Sequence, residues 1–374
     1  MALAGSLSGA YVYDLSDRAP LYAARADVPR PPASVEKLYT ATTALERMGP
    51  QATLATTVLG TGHLGFAGRW EGSLYLQGGG DPTFGSPSFV ARHYGDGATV
   101  NALAAELVKA GIRTVTGQVD GDESYFDALR GEPASSYLPD PDLEGQLSAL
   151  AFDRGRSGSE AGPHAPAAYA ARQLRAALRA AGVKVHSGTA ATTPPGASAL
   201  AFVRSPTLAR LLGLTLAPSD NFFAETLLKD LGARFGDGGT TAAGAAVVRA
   251  TIARLGIHPA RLLDGSGLSH ADLTTPREVV SLLAKLATSP LGTTLREDLA
   301  IAGHSGTLFD RMRHTTAASR CQAKTGTLIG VSNLAGYCTA RNGHILAFAF
   351  FDDGIETSRA HAIQDAMTVA LARL

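Results

Sequence analysis

The chain has 374 residues, 45% of them hydrophobic, enough for a buried core in one large or two ordinary domains. Its 33 lysines and arginines balance its 33 aspartates and glutamates without a basic cluster, which speaks against a nucleic-acid or polyanion partner and for a small, near-neutral ligand. No run approaches the roughly eighteen apolar residues of a membrane span, and "MALAGSLSGAYVYDL" is too short and too polar for a secretory core, so an exported protein has already lost its signal.

In chain order, "GAYVYDLSDRAPLYAARAD" alternates apolar and polar positions around a Ser-Asp turn and predicts a β-hairpin. The proline-rich "VPRPPA" ends it and delivers the chain to a helix from about Ser34 to Met48, stopped at Gly49-Pro50. Short strands then alternate with helices, punctuated by "GSEAGPHAPAA" and "TTPPGASA". Helical segments dominate from about residue 205 to about residue 300. Three strands follow, around Lys324, over Leu334 to Thr339 and in "HILAFAFFDD", and the closing helix "SRAHAIQDAMTVALARL" spaces its alanines and leucines for packing. The expected fold is α/β of the α+β kind: residues 1–58 and 202–374 form an antiparallel sheet flanked by helices, and residues 59–201 form an inserted α/β domain.

Cys321 and Cys338 are the two cysteines. A hairpin turning near Gly330 and Val331 sets them opposite each other, where a disulfide is sterically possible. Two buried free thiols are the alternative, and a disulfide would favour an extracytoplasmic location.

Three short motifs carry chemistry: Ser34-Val35-Glu36-Lys37, Ser219-Asp220-Asn221 and Lys324-Thr325-Gly326-Thr327. Positions three apart on a helix share a face, so the Lys37 amine can meet the Ser34 hydroxyl and take its proton, if burial and a nearby cation, Lys324, lower its affinity for protons. Alone, Ser34 reads more readily as a helix cap and Lys37 as a surface residue of the next turn, although with only six lysines in the chain the coincidence is less expected. Ser219 can relay a proton to a leaving amine, and Asn221 can bind a substrate amide and hold Lys37. Glycine inside a strand marks a close approach to the backbone, here a peptide-like substrate along Gly326. Lys324 and Thr325 would attract its carboxylate, and the N–H groups of Ser34 and Thr327 would form an oxyanion hole.

In this order the motifs resemble the penicillin-recognising serine enzymes, the penicillin-binding proteins and serine β-lactamases. "LYLQGGGDPTF", "LLDGSGLSH", "AGHSGTLFDRM" and "AKTGTLIGVSNLAGY" extend the resemblance over nearly the whole chain to the D-alanyl-D-alanine carboxypeptidase/endopeptidase family, peptidase family S13. That resemblance implies a penicillin-binding fold with a long insertion between the first and second motifs. It also implies attack by Ser34 on the bond between two terminal D-alanines of a peptidoglycan stem peptide, covalent inhibition by β-lactams, and an extracytoplasmic location. After "LSALAFDRGR" only "SGSEAGPHAP" precedes the next helix, so the insertion is reduced here. No Glu-x-x-Leu-Asn lies between Ser219 and Lys324, so penicillin is expected to form a long-lived adduct.

No Gly-x-Ser-x-Gly elbow, His-Glu-x-x-His or cysteine/histidine cluster occurs, so neither a metal nor a cofactor is expected. Asp81 in "GGGDPTF" reads as a turn residue, and Asp140 and Asp142 as a solvated loop. The competing functions are a non-catalytic penicillin sensor or wall-binding protein and, behind it, a β-lactamase.

Overall fold

In the computed structural model, which describes residues 5–162 and 164–374, the amino-terminal alternation forms the hairpin β1 (Gly9–Asp14) and β2 (Ala19–Ala24). Asp14 closes its turn by accepting the backbone N–H groups of Ser16 and Asp17. A 3-10 turn over Ala33–Glu36 follows, and the α-helix α1 (Lys37–Met48) starts only after it. The helix thus begins three residues later than the sequence suggests, and Ser34 is not a cap: Pro32 and Glu36 hold the two N-cap positions. The cause is local, because Pro32 donates no N–H and Ala33 is turned to φ +47°, so the chain winds tightly before an α-helix can form.

The chain divides into two compact units, one made of residues up to Gln51, Leu208–Ala224 and Gly244–Leu374, the other of Ala52–Thr207 and Glu225–Ala243. The second unit carries β3 (Ala55–Gly60), β4 (His63–Leu64), β5 (Arg69–Glu71), β6 (Leu74–Gln77), α2 (Pro87–His93), α3 (Val100–Lys109), β7 (Thr114–Val115), β8 (Val119–Asp122), α4 (Ala165–Ala180) and β9 (Ser198–Arg204). Its larger sheet has the order β8-β6-β3-β9, with β6 and β8 parallel. Val58, Leu74 and Leu76 of that sheet share one core with Leu103 and Leu107 of α3 and Leu174 and Leu178 of α4. Asp81 is buried and accepts the backbone N–H and the hydroxyl of Thr83, as a turn residue does. Asp140 caps a one-turn helix by accepting the Asp142 N–H at 2.8 Å.

The carboxyl-terminal half continues with α5 (Leu208–Leu216), α6 (Asn221–Phe235), α7 (Thr241–Arg254), α8 (Pro276–Ala287), α9 (Gly292–Glu297), β10 (Ala300–Ile301), β11 (Cys321–Leu328), β12 (Val331–Thr339), β13 (Ile345–Asp353) and α10 (Thr357–Arg373). In the first unit six strands form one sheet in the order β10-β11-β12-β13-β1-β2. Strands β12 and β13 are covered on both faces, which is why "VSNLAGYCT" and "ILAFAFFDD" are apolar almost throughout rather than alternating. Ala10, Val12, Leu334, Phe348 and Phe350 form the core on one face, with Met367, Val369 and Leu371 of α10 packed against it. The most buried stripe of α10 is Ala360, Gln364, Thr368 and Ala372, not the leucines. Gln364 is tolerated because its amide donates to the Ser332 carbonyl at 2.9 Å and to Asp352 Oδ2 at 3.0 Å.

Strands β11 and β12 turn over Ile329 and Gly330, one residue earlier than the sequence suggests, which puts Cys321 in register with Cys338. The two form a disulfide, their Cα atoms 4.0 Å apart, so the free-thiol alternative is excluded. Across the other sheet face, register aligns Lys324 with Ala335, Ala349 and Tyr11 in one row.

Candidate active site

The 3-10 turn leaves Ser34 half-buried while Lys37, one turn on, is completely buried beneath it. The Lys37 amine lies 2.9 Å from Ser34 Oγ, 2.6 Å from Asn221 Oδ1 and 2.7 Å from the Ser266 carbonyl oxygen. A carboxamide oxygen and a backbone carbonyl only accept. When the amine is neutral, Asn221 and Ser266 can take its N–H groups, and of these three partners Ser34 is the one able to donate, so its hydroxyl can face the lone pair.

Ser219 ends the turn after α5 in the left-handed region, at φ +67°, and Asp220 caps α6 by accepting the Phe223 N–H at 3.0 Å. This geometry brings Asn221, the first residue of α6, to Lys37. It also brings the Ser219 hydroxyl within 2.8 Å of the Lys324 amine, which additionally donates to the Thr325 carbonyl at 2.7 Å. Lys324 is fully buried, and desolvation, with the charge of Lys37 second, holds its ammonium well below the ordinary lysine range. Two hydroxyl–amine pairs, Ser34 with Lys37 and Ser219 with Lys324, thus meet in one electrostatically coupled group.

The remaining motif residues sit differently from expectation. Gly326 is buried against the 3-10 turn that carries Ser34: a Cβ there would lie 2.6 Å from the Pro32 carbonyl oxygen and 3.2 Å from Ser34 N. The close approach inferred for a substrate is made by the chain itself. The Thr325 hydroxyl donates to Thr307 Oγ1 at 2.8 Å, and Thr327 is exposed.

Three contributors lack a legible role in the sequence. The Ser266 carbonyl is a backbone atom, and its loop is held by Asp264, which accepts the Gly267 and Ser269 N–H groups. Thr307 lies in "AGHSGTLFDRM", quoted above only for its family likeness. Asn333 donates to the Pro31 and Pro32 carbonyls at 2.9 and 2.8 Å, pinning the segment before Ser34 to β12. An asparagine within an apolar strand was its available signal.

Among the described residues, the one trio of metal-capable side chains is Asp14, Asp17 and His344, none of them part of this site, with His344 Nδ1 already 2.8 Å from Asp14 Oδ2.

A family model described as D-Ala-D-Ala carboxypeptidase 3 (S13) matches residues 1–156 and 148–374. The chain belongs to that family. It is thereby placed among the serine D-Ala-D-Ala carboxypeptidases, and the two matched pieces overlap over "SALAFDRGR". A D-alanyl-D-alanine carboxypeptidase of Actinomadura sp. (strain R39) is 30% identical over 454 aligned positions, covering 99% of this chain and 82% of the relative. Carboxypeptidase DacB of Mycolicibacterium smegmatis is 31% identical, covering 96% and 79%. Penicillin binding protein 4 (dacB) of Haemophilus influenzae superposes with a TM-score of 0.82 at 22% identity, covering 98% of this chain and 96% of that one, which establishes the penicillin-binding fold. A second structure of that protein is a complex with a β-lactam.

Proposed function

We propose that this carboxypeptidase removes the terminal D-alanine from peptidoglycan stem peptides ending in D-Ala-D-Ala, through an acyl-enzyme on Ser34. The observation that carries this reading is the Lys37 amine, held by Asn221 Oδ1 and the Ser266 carbonyl with its third direction on Ser34 Oγ. Ser34 Oγ attacks the carbonyl carbon of the penultimate D-alanine as its proton passes to Lys37 Nζ. The negative charge on the carbonyl oxygen is met by the N–H groups of Ser34 and Thr327, an arrangement supported by how near β11 runs to Ser34 N, which a Cβ on Gly326 would meet at 3.2 Å. The C–N bond then breaks, and the terminal D-alanine leaves as an amine carrying a proton delivered through Ser219 from Lys324. The proton that Lys37 took from Ser34 replaces the one Lys324 gave up; water then passes a proton to the neutral Lys37 as its oxygen attacks the ester carbonyl carbon, and that proton returns to Ser34 Oγ as the ester C–O bond breaks, leaving the stem peptide as a carboxylate. Thr325 and its partner Thr307 supply hydroxyls for the substrate carboxylate.

Endopeptidase cleavage of D-alanyl cross-links would use the same groups. A β-lactam mimics the scissile amide and traps Ser34 as a stable ester; the absence of a Glu-x-x-Leu-Asn segment between Ser219 and Lys324 supports slow release. The Cys321–Cys338 disulfide supports an extracytoplasmic location, and no helix among the described residues is long and apolar enough to cross a membrane. The test is D-alanine release from a D-Ala-D-Ala peptide together with intact-mass analysis after penicillin treatment. Peptide turnover with one stable adduct on Ser34 supports the reading. A stable adduct without turnover favours a sensor, rapid penicillin turnover favours a β-lactamase, and activity retained in Ser34→Ala overturns the mechanism.

A further inference from the structure

A cavity of about 760 Å³ opens between β1 and the helices α8 and α9, lined by none of Ser34, Lys37, Ser219, Asn221 or Lys324. The chain is neutral overall, yet this cavity is lined by Arg18, Arg277, Lys285 and Arg296 and by no aspartate or glutamate. Arg277 is paired with Asp27 at 2.5 Å, whereas among the described residues Arg18, Lys285 and Arg296 form no ion pair. Arg296 is the built element: half-buried, it donates to Gln322 Oε1 at 2.9 Å and to Thr339 Oγ1 at 3.0 Å, two neutral acceptors that orient its planar fork without cancelling its charge. Such a fork is matched to a carboxylate or phosphate.

The rest of the lining suits a ring rather than a bare ion. The guanidinium of Arg296 lies 5.6 Å from the Tyr337 ring and that of Arg277 4.3 Å from the Tyr11 ring, so aromatic groups back both forks. Ala284, Ala287 and Gly292 leave room between them, and Ser281, Thr288 and Thr293 add hydroxyls at the wall. The volume falls in the range of small-ligand sites. We propose that this cavity binds an anionic carbohydrate, a sugar ring bearing a carboxylate or a phosphate, at a site separate from the nucleophile. The proposal stands independently of the peptide chemistry at Ser34. It nevertheless sits close to it in the fold, because Gln322, held by Arg296, precedes Lys324 by two positions on the same face of β11.

The test is calorimetric titration of the full chain at low ionic strength with N-acetylmuramic acid, N-acetylglucosamine 1-phosphate, N-acetylglucosamine and inorganic phosphate. Binding of either anionic sugar supports the proposal, and which of the two binds tells carboxylate from phosphate as the source. Arg296→Gln, and separately Arg18→Gln with Lys285→Gln, are expected to weaken that binding about ten-fold or more, from the loss of charge-assisted hydrogen bonds. Ser34→Ala leaves it unchanged, and the Arg18→Gln/Lys285→Gln protein, whose changes lie on the exposed rim, still releases D-alanine at the parent rate, which shows that it is folded. The proposal is overturned if neither anionic sugar binds at millimolar concentration. Equal affinity for the neutral sugar, equal affinity for inorganic phosphate, or unchanged affinity in both sets of variants overturns it as well.

Discussion

The Asn221 carboxamide oxygen accepts a hydrogen bond from the Lys37 amine at 2.6 Å, across 184 residues of chain. This contact, with the Ser266 carbonyl, decides where the amine can direct its lone pair. Asn221→Ala removes one acceptor and frees the amine to rotate away from Ser34, so penicillin acylation of Ser34 is expected to slow by about 10²-fold or more, the usual weight of a positioned base. Asn221→Asp keeps an acceptor but adds a negative charge that holds the proton on Lys37, so it should be slow at neutral pH and recover as pH rises. Stopped-flow acylation of both variants separates the two effects, and wild-type rates in Asn221→Ala would remove Lys37 orientation from the mechanism.

Lys324 binds its proton less tightly in the folded protein than in the unfolded chain, chiefly through desolvation and then through Lys37. Between the folded value and the ordinary lysine value the unfolded chain carries more protons, so stability rises with pH through that window and falls as pH drops through it. Lys324→Met removes the buried amine, and its thermal midpoint should depend less on alkaline pH than that of the parent while D-alanine release is lost. Kinetically, Lys37 accepts the Ser34 proton only when neutral, so acylation is expected to slow as pH falls, and a rate that rises toward acid pH would contradict amine base catalysis.

Gly326 and Gly267 test the fit of the turn that carries Ser34. A Cβ on Gly326 meets the Pro32 carbonyl oxygen at 2.6 Å, and one on Gly267 meets the Ala33 carbonyl oxygen at 1.9 Å with φ at +80° besides. Gly326→Ala should chiefly lower kcat by pushing β11 from Ser34, at about 1–3 kcal/mol of overpacking. Gly267→Ala should cost more stability, because backbone strain adds to the clash. Melting curves read beside acylation rates distinguish the two.

The disulfide closes a short segment, Cys321 and Cys338 being 17 positions apart, and it clamps the strand pair that carries Lys324. A loop of that length is worth about 3 kcal/mol in the chain-entropy model. Cys321→Ser with Cys338→Ser, or reduction by a thiol, should lower the melting temperature by several degrees. An unchanged midpoint would mean that the sheet register is fixed without the bond.

Asp81 is raised to about 7 by burial, which outweighs its hydrogen bonds from Thr83. The folded protein then holds a proton that the unfolded chain has released above the ordinary carboxylate value, so this residue's contribution to stability is lost as pH rises from about 4 to about 7. Asp81→Asn keeps the oxygen that Thr83 uses and cannot ionise, so it should be more stable than the parent at pH 8 and match it in D-alanine release. A large loss of activity with an unchanged melting temperature would give Asp81 a role beyond its turn.

The parts of the site that were legible are those written in side-chain letters at local spacing. Ser34 and Lys37 are three apart, Asn221 follows Ser219 by two, and Lys324 heads a strand motif. The misreadings have separate causes. Periodicity cannot distinguish a 3-10 turn from the first turn of an α-helix, so it places the helix start at Ser34, and a sequence does not name what approaches a glycine, so Gly326 reads as a substrate contact. Helical spacing on α10 points to its alanines and leucines, whereas Gln364 is carried inside by acceptors on β12 and β13.

By itself the sequence determined the kinds of groups present, their order, and the strands and helices that hold them, because hydrophobic period and turn chemistry act over a few residues. Only the tertiary structure decided that the Ser266 carbonyl faces Lys37, that Thr307 meets Thr325, and that cations gather around a cavity in a chain of no net charge. Backbone carbonyls are chemically alike at every residue, and the charges of distant residues sum only when the fold makes them neighbours. Their roles follow from the path of the chain and not from its letters.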